Sequence, residues 1–562
     1  MGPPPTGWPA LDKRFRLMPT AAFSVICSDG GWRQGGSPDF RNISKPVVWD
    51  KATKDGGGDG EETGVVCIDV ICPYTRELVV EGFARRRGVW RVAADSAEAN
   101  FHWGDYEMID WERVVSGELR ASSYCVRKAS RNRKAQLSRY CNKYASKRPG
   151  TPLKTALPRT LVIDTWEAFD DSMTFNLGGD IAEFGSDLGV RQSVNLSTRL
   201  DWCLNDAREW VEQREDEGDA AARNTGAGVE GGGSDIDAGW AEPQDFAVGT
   251  EPVEKSSWLE TTACLQSRRV IGRRRRWILK PSTLNKGVAL AFGEGFDLLR
   301  KAIHESPDIR EWVLQEYVER PLLVQGRKFH LRAYVLAVGC IQVYLYQQVL
   351  LLRAAKPYPS WTAATGGYTV NGNEKAGVAF GDEDPLAHIT NTARQTEDEA
   401  FVEEENVWLL EDLMGELEKQ GLTPEEAREK FDSIFSKVEI LTGELFRAFR
   451  GEFTVFSPLP GCFEHFGLDF LVDEDFHVWF LEANPGPDFK QTGSRLKNVV
   501  AGVIEDTMRI CLDQGIVDGT GDATLRGIDD EVGRAPAASV GFKLILDEQW
   551  RGTAAGPSMR ML

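Results

Sequence analysis

Hydrophobic and polar positions change their period several times along the chain. A short apolar run, Val65 to Ile71, leads into helical spacing over Tyr74 to Arg87 and then a strand pattern at Trp90 to Ala93, which predicts a small α/β unit reaching to about residue 155. Leu161 to Ile163 is a further strand candidate, and Ser197 to Glu212 has the spacing of an amphipathic helix. Strand-like apolar runs return at Trp277–Leu279, Val288–Phe292, Trp312–Gln315, Phe329–Val338, Ile341–Tyr346 and Val349–Leu352. Helical spacing interrupts them at Phe296–His304 and again at Asn406–Gln420. Thr423, Pro424 and Glu426 supply cap, first-turn proline and capping-box acid, so a helix is expected from there towards Phe449. Two closing strands, Gly467–Val472 and Val478–Glu482, flank the turn Asp473-Glu474-Asp475, and a helix over Leu496–Leu512 precedes a tail with little pattern.

With 562 residues the chain exceeds one hydrophobic core, and two or three packed units are expected. The pattern divides it into a Pro- and Gly-rich extension (1–64), a small amino-terminal domain (65–156), a central unit (157–380), a carboxyl-terminal unit (381–515) and a tail (516–562). Half of the net charge of −20 sits between Glu212 and Glu260, where thirteen acids face Arg214, Arg223 and Lys255. With its Gly-rich centre GAGVEGGG this stretch reads as a disordered acidic insert at about 212–262. The GxGxxG inside it (Gly226, Gly228, Gly231) lacks a preceding strand, and its carboxylate neighbours would repel a pyrophosphate, so it is not a dinucleotide fingerprint. The acidic balance argues against nucleic acid as partner. No apolar run approaches the length of a membrane span, and the ten cysteines are spaced singly without CxxC or zinc-finger spacing. A cytoplasmic chain with reduced thiols and no membrane contact is expected.

The densest chemistry is in GLDFLVDEDFHVWFLEANPGPDF. Asp469 lies within one strand, while Glu482 and Asn484 are two apart at the end of the next, so period-two geometry points both to one face. Three oxygen donors on adjacent strands suit Mg²⁺. A hairpin whose acids face water is the alternative, and an Asp amid Phe and Leu argues against it. Cations that could meet phosphate lie upstream: Lys280 ends WILKP, the linker Ser282 to Gly287 carries Lys286, Lys328 and Arg332 follow in RKFHLRAYVL, and Arg353 closes VLLLR. Neither a GxxxxGK[ST] loop nor a protein-kinase catalytic loop occurs.

Several separate strings now carry a resemblance: SSYCVRKASRNRKAQL, WILKPS, LQEYVERPLL, GRKFHLRAYVLAVG, HITN, FGLDF and FLEANPGPDF. Over roughly residues 65 to 512, apart from the insert, the chain resembles the tubulin–tyrosine ligase family, and its details look closest to the fungal branch. The resemblance implies an α+β fold of the ATP-grasp type, two lobes closing over ATP, with the small amino-terminal domain beside them. It further implies that Lys280 touches nucleotide phosphates, that Gln315, Glu316, Tyr317 and Val318 present their backbone to adenine, and that Lys328 completes the nucleotide site. Asp469, Glu482 and Asn484 would hold Mg²⁺, and Lys134 (with Lys128 as the weaker match) would be the family's basic residue in the first domain. His388 and Asn391 of HITN would order a loop closing the site, with a structural histidine held by its own hydrogen bonds as the alternative. The sequence departs from the family pattern at His330, where many members carry an acid, and at Ala289, where glycine is usual.

The implied reaction activates a carboxylate as an acyl phosphate and joins an amine to it. Arg332 and Arg353 are expected to grip that carboxylate, because a guanidinium fork fits planar oxygens in pairs. By family analogy the partners are the tubulin carboxyl-terminal tail and free tyrosine. Glutamate addition to a side-chain carboxylate is the neighbouring alternative, and an ATP-grasp scaffold that has lost turnover is a second class. The run Arg268, Arg269 and Arg273 to Arg276 could dock an acidic tail, pair with the acidic insert, or remain a solvated loop.

Overall fold

Three sheets organise the described residues. The computed structural model describes residues 64–123, 134–169, 196–224, 276–282, 290–359, 378–379, 384–391, 395, 401–513 and 541–548, apart from single residues and short gaps within these ranges. All of them belong to one compact unit.

The first sheet is parallel and has four strands in the order β2-β1-β3-β4: β1 Gly64–Asp69, β2 Trp90–Val92, β3 Phe101–Gly104 and β4 Arg120–Ala121. Its first three elements, including the helix Pro73–Arg85, follow the expected spacing. β3 and β4 are too short to announce themselves in the sequence.

Five strands form the second sheet, in the order β13-β7-β6-β8-β5: β5 Thr160–Asp164, β6 Arg276–Pro281, β7 Leu290–Glu294, β8 Glu311–Glu316 and β13 Val378–Ala379. Neighbouring strands from β5 to β7 pair antiparallel, and β13 pairs parallel with β7. Trp277, Leu279, Trp312 and Leu314 turn one face into a core that takes in Leu299 and Ile303 of the helix Phe296–Glu305, together with Leu204 and Val211.

The third sheet is centred on β10, Arg327–Val338, which runs between β15 (Phe463–Val472) on one edge and β12 (Leu350–Arg353) and β11 (Gln342–Tyr346) on the other. β9 (Leu323–Val324), β14 (Val407–Leu409), β16 (Val478–Pro485) and β17 (Phe542–Asp547) complete it. Phe329, Leu331, Ala333, Val335 and Ala337 face a core built with Ile434, Val438, Leu441 and Leu445 of the helix Pro424–Phe449. Two mainly antiparallel sheets, each with helices packed on one face, make an α+β architecture of two lobes.

Three expectations change. Val407–Leu409 was expected inside a helix but pairs with Leu350–Leu352, because a Val-Trp-Leu edge completes the sheet and the helix starts only at Asp412, whose carboxylate accepts from the Leu409 amide at 2.9 Å. The helix beginning at Asn205 runs to Asn224, so the first residues of the expected acidic insert are helical, while its remainder lies outside the described residues. β17 falls in the stretch read as a tail and pairs along β11. Among the described residues no helix is long and apolar enough to cross a membrane.

The helix Pro424–Phe449 starts as its sequence predicts. Thr423 Oγ1 accepts from the Glu426 amide at 3.2 Å, and the Glu426 carboxylate accepts from the Thr423 amide at 2.8 Å. Replacing Thr423 by Ala should destabilise the protein by about 1 kcal/mol, read as a lower denaturation midpoint with unchanged nucleotide binding. An unchanged midpoint would mean that packing alone sets this helix start.

Candidate active site

Alternation along β10 separates two environments. Its odd positions are the core residues already named, while Lys328, His330 and Arg332 turn to the other face. Further along that face Tyr334, Leu336 and Val338 pack with Val66, Phe101 and Trp103 of the parallel sheet. The polar part of the face is therefore short and closed at one end by the amino-terminal unit.

Register brings the acids to the same face. Asp469 of β15 pairs with Arg332 of β10 and with Glu482 of β16, and Asn484 pairs with Gly467. The β15–β16 ladder shifts register at Asp469/Phe470, leaving Leu481 unpaired between Phe480 and Glu482. Because of that extra residue Phe480 packs in the core opposite Phe470 while Glu482 stays beside Asp469 on the other face. Glu482 and Asn484 share a face, as their spacing predicts.

Arg332 holds Asp469 in a fork: Nε donates to Oδ1 and Nη2 donates to Oδ2 at 2.9 Å. The carboxylate in turn holds the guanidinium charged, its pKa displaced upward against the cost of burial. Two of Arg332's five N–H donors are thereby used. Gly467 leaves room for this pair, since a Cβ there would come within 3.2 Å of Arg332 Cδ. His330 sits alongside, with Nδ1 2.6 Å from Thr390 Oγ1 and Nε2 3.9 Å from Asp469 Oδ1. Burial pushes its pKa down to about 4, so the ring is neutral at pH 7. Its Nε2 is buried with no hydrogen-bond partner among the described residues.

Two lysines approach from either side. Lys328 Nζ donates to the Tyr317 hydroxyl at 2.8 Å, and that oxygen lies 2.9 Å from His388 Nδ1. Lys280 Nζ donates to Gln315 Oε1 at 2.9 Å, while Gln315 Nε2 donates to Thr160 Oγ1 at 3.1 Å. Burial lowers Lys328 to about 7, with repulsion from Lys280 adding to it. Lys280 falls to about 8, again mainly through burial, with Glu482 and Asp469 opposing the shift and Lys134 reinforcing it. The helix Lys134–Lys147 is anchored here: the Lys134 amide donates to the Ser282 carbonyl at 3.0 Å and the Ala135 amide to Ser282 Oγ at 3.3 Å. Lys134, Lys280, Gln315 and Leu481 line one cavity.

Other expected residues fall differently. Arg353 pairs with Phe329 and so lies on the core side of the sheet, away from Arg332. Its Nη1 donates to Gln325 Oε1 at 2.7 Å, its Nη2 donates to the Glu405 carbonyl, and its guanidinium stacks 4.3 Å from the Trp408 ring centre. The expectation that it grips substrate beside Arg332 is thus corrected: one residue of register sets the face. The Glu316 and Tyr317 amides donate to the Arg159 and Arg276 carbonyls, so neither is spare for a base. Val318 follows them, partly buried, and so does Asn391 beyond Thr390. Lys286, Gly287, Ala289, Lys128 and the arginine run up to Arg275 lie outside the described residues.

Sequence reasoning missed the side chains of Gln315 and Tyr317, which hold the two lysines, and Thr390, the partner of His330. It also missed an apolar wall in which Phe292 and Tyr317 pack with Ile278, Tyr358 and Ile389. HITN and LQEY were visible as strings, but only pairing across 60 to 71 residues of chain shows what their side chains touch.

The donor set of Asp469, Glu482 and Asn484 is of the hard oxygen kind that Mg²⁺ takes. Two lysines that hold their protons weakly, Lys328 buried and Lys280 half-buried, next to that set and an apolar wall, fit the phosphates and base of a nucleotide.

Residues 255–517 match the model described as "Tubulin-tyrosine ligase family". A probable tubulin–tyrosine ligase of Schizosaccharomyces pombe is 26% identical over 441 residues, covering 77% of this chain and 87% of that protein. Another from Saccharomyces cerevisiae, PBY1, is 26% identical over 73% of this chain but only 45% of its own length. A human tubulin monoglycylase, TTLL3, is 23% identical over 43% of this chain and 29% of its own. Among solved structures, the carboxyl-terminal domain of K. lactis Pby1, titled an ATP-grasp enzyme interacting with the mRNA decapping enzyme Dcp2, aligns with a TM-score of 0.49 and 21% identity, covering 86% of this chain and 99% of that one. The matched stretch 255–517 contains Lys280, Lys328, Asp469, Glu482 and Asn484, and that stretch is a domain of the tubulin–tyrosine ligase family.

Proposed function

We propose that this chain is an ATP-dependent carboxylate–amine ligase that activates a protein carboxylate as an acyl phosphate and joins an amino acid, tyrosine first among the candidates, to it. The observation that carries the reading is the convergence of two weakly protonated lysines and an Arg–carboxylate pair on one buried face. The acceptor proposed is a tubulin tail, in keeping with the activities named for the relatives. The site would work in the cytoplasm.

Each residue has a part in this scheme. Lys280 and Lys328 neutralise phosphate oxygens as charge builds on the transferred group, and Gln315 and Tyr317 aim them. Asp469, Glu482 and Asn484 would hold Mg²⁺, which when bound shields the phosphates from the attacking carboxylate. Arg332 orients Asp469, and its remaining donors face an incoming carboxylate. His330, neutral, offers Nε2 as a hydrogen-bonding atom without adding charge. The apolar wall of Ile278, Phe292 and Tyr317 takes the base. Lys134 borders Lys280 from the first domain's side and would steer the acceptor's negative charge.

Phosphate release from Mg·ATP should require tubulin lacking its terminal tyrosine plus tyrosine, and should fall about 100-fold or more in Glu482→Gln. Nucleotide binding without release, for every amino acid offered, would overturn the ligase reading.

Nucleotide binding at pH 8 should take up on the order of one proton, because Lys328 and Lys280 hold their protons weakly before phosphate arrives and firmly afterwards. Calorimetry in buffers of different ionisation heat reads this directly, and Lys328→Met should remove most of it. Linkage gives the same sign without nucleotide. Between about pH 7 and 9 unfolded lysines bind more protons than these two do when folded, so their contribution to stability rises with pH across that window. A denaturation midpoint whose pH slope is the same in wild type and Lys328→Met would contradict the burial of Lys328.

A further inference from the structure

We infer that Cys67, Asp69 and His102 form a separate binding site for a zinc-class cation at the carboxyl end of the parallel sheet. None of the three belongs to the nucleotide face, and the proposed ligase reaction does not use them.

Topology singles out this spot. From β1 the chain goes to β2 on one side and then returns to β3 on the other, so the sheet order β2-β1-β3-β4 reverses direction between β1 and β3. In open parallel sheets, ligands bind in the crevice beyond the carboxyl ends of the strands at such a switch. Cys67 and Asp69 are two apart at the end of β1 and share a face. His102 of β3 is the register partner of Cys67, and Gly104 that of Asp69.

Distances match a common metal centre. Cys67 Sγ lies 3.3 Å and His102 Nε2 3.0 Å from Asp69 Oδ2, and all three donor atoms fall within 4.8 Å of one another. Ligands around tetrahedral zinc are spaced about 3.3–3.6 Å apart, as its bond lengths require. Small adjustments of side chains would suffice. Gly104 keeps the space open, since a Cβ there would stand 2.9 Å from His102 Nε2 and 3.1 Å from the Asp69 carbonyl.

Donor chemistry selects the cation. One sulfur, one imidazole nitrogen and one carboxylate oxygen suit borderline-soft zinc and disfavour Mg²⁺ or Ca²⁺, which take oxygen. A cysteine nucleophile fits less well, because thiol and imidazole both meet the same carboxylate oxygen, Asp69 Oδ2, which leaves the carboxylate as the thiol's hydrogen-bond acceptor. The Cys67 and His102 side chains are buried, while Asp69 keeps 22% of its side chain exposed, so a cation enters past Asp69 and retains a fourth position for water.

The test uses the full chain stripped of metal. Zinc titrated against a chromophoric chelator should bind at one equivalent, and Co²⁺ in its place should show a thiolate charge-transfer band with the strong visible absorption of a four-coordinate ion. Cys67→Ser should abolish the band and weaken zinc binding by more than about 100-fold, beyond the loss typical of outer-shell partners, with Mg·ATP binding unchanged. Asp69→Asn, at a partly exposed position, provides a second variant if Cys67→Ser does not fold, and should also weaken zinc binding. Glu482→Gln should leave zinc binding as it is. Binding below one equivalent at micromolar zinc, a cobalt spectrum without the thiolate band, or full zinc affinity in either ligand variant would overturn the proposal. The trio would then be a hydrogen-bonded closure of the sheet end.

Discussion

Burial of β10 on both faces is the constraint on which the molecule rests. Its odd positions lie in the core under the helix Pro424–Phe449, and its even positions are polar at Lys328, His330 and Arg332 and apolar from Tyr334 onward. A slip of one residue would send a lysine, a histidine and an arginine into that core and bring Phe329 and Leu331 onto the polar face, so the register has no near competitor. Strand β15 inherits the same constraint. Once Leu468 and Phe470 are in the core, Asp469 must face Arg332.

The charges gathered on this face are balanced only in part. Arg332 and Asp469 neutralise each other, whereas Lys280 and Lys328 are held by uncharged oxygens of Gln315 and Tyr317 and lose proton affinity. A face built this way holds two lysines whose charged form burial disfavours, and a polyanion restores the proton affinity that burial removed. Donors already aimed and already desolvated need little reorganisation when charge develops, which is the usual basis of electrostatic catalysis.

The same sheet face also carries the amino-terminal unit. Phe463 of β15 stacks on Phe101 at 6.1 Å and meets Trp103 edge-on at 5.2 Å, two strand positions before His465 and six before Asp469. Tyr334, Leu336 and Val338 extend that contact along β10. The parallel sheet and the polar cluster are therefore neighbours on one face of β10 and β15, and the parallel sheet that carries Cys67, Asp69 and His102 packs on the strands that hold the cluster.

Local patterning by itself determined much of this protein. The capping box at Thr423 and Glu426 starts a helix where it should, most long strands lie where alternation and apolar runs put them, and Glu482 and Asn484 share a face because they are two apart. Such features depend on neighbours within a few residues, where side-chain preference and backbone period act directly. Tertiary structure alone decided the rest. Arg353 turned to the core side because it pairs with Phe329, Leu481 became the extra residue that separates the faces of Phe480 and Glu482, and Val407–Leu409 became a strand because an edge was open to it. Gln315 came to hold Lys280, and a cysteine came to lie beside a histidine 35 residues away, through pairings between strands distant in sequence. Strand pairing is a long-range choice governed by which faces must be buried, and no local period encodes it.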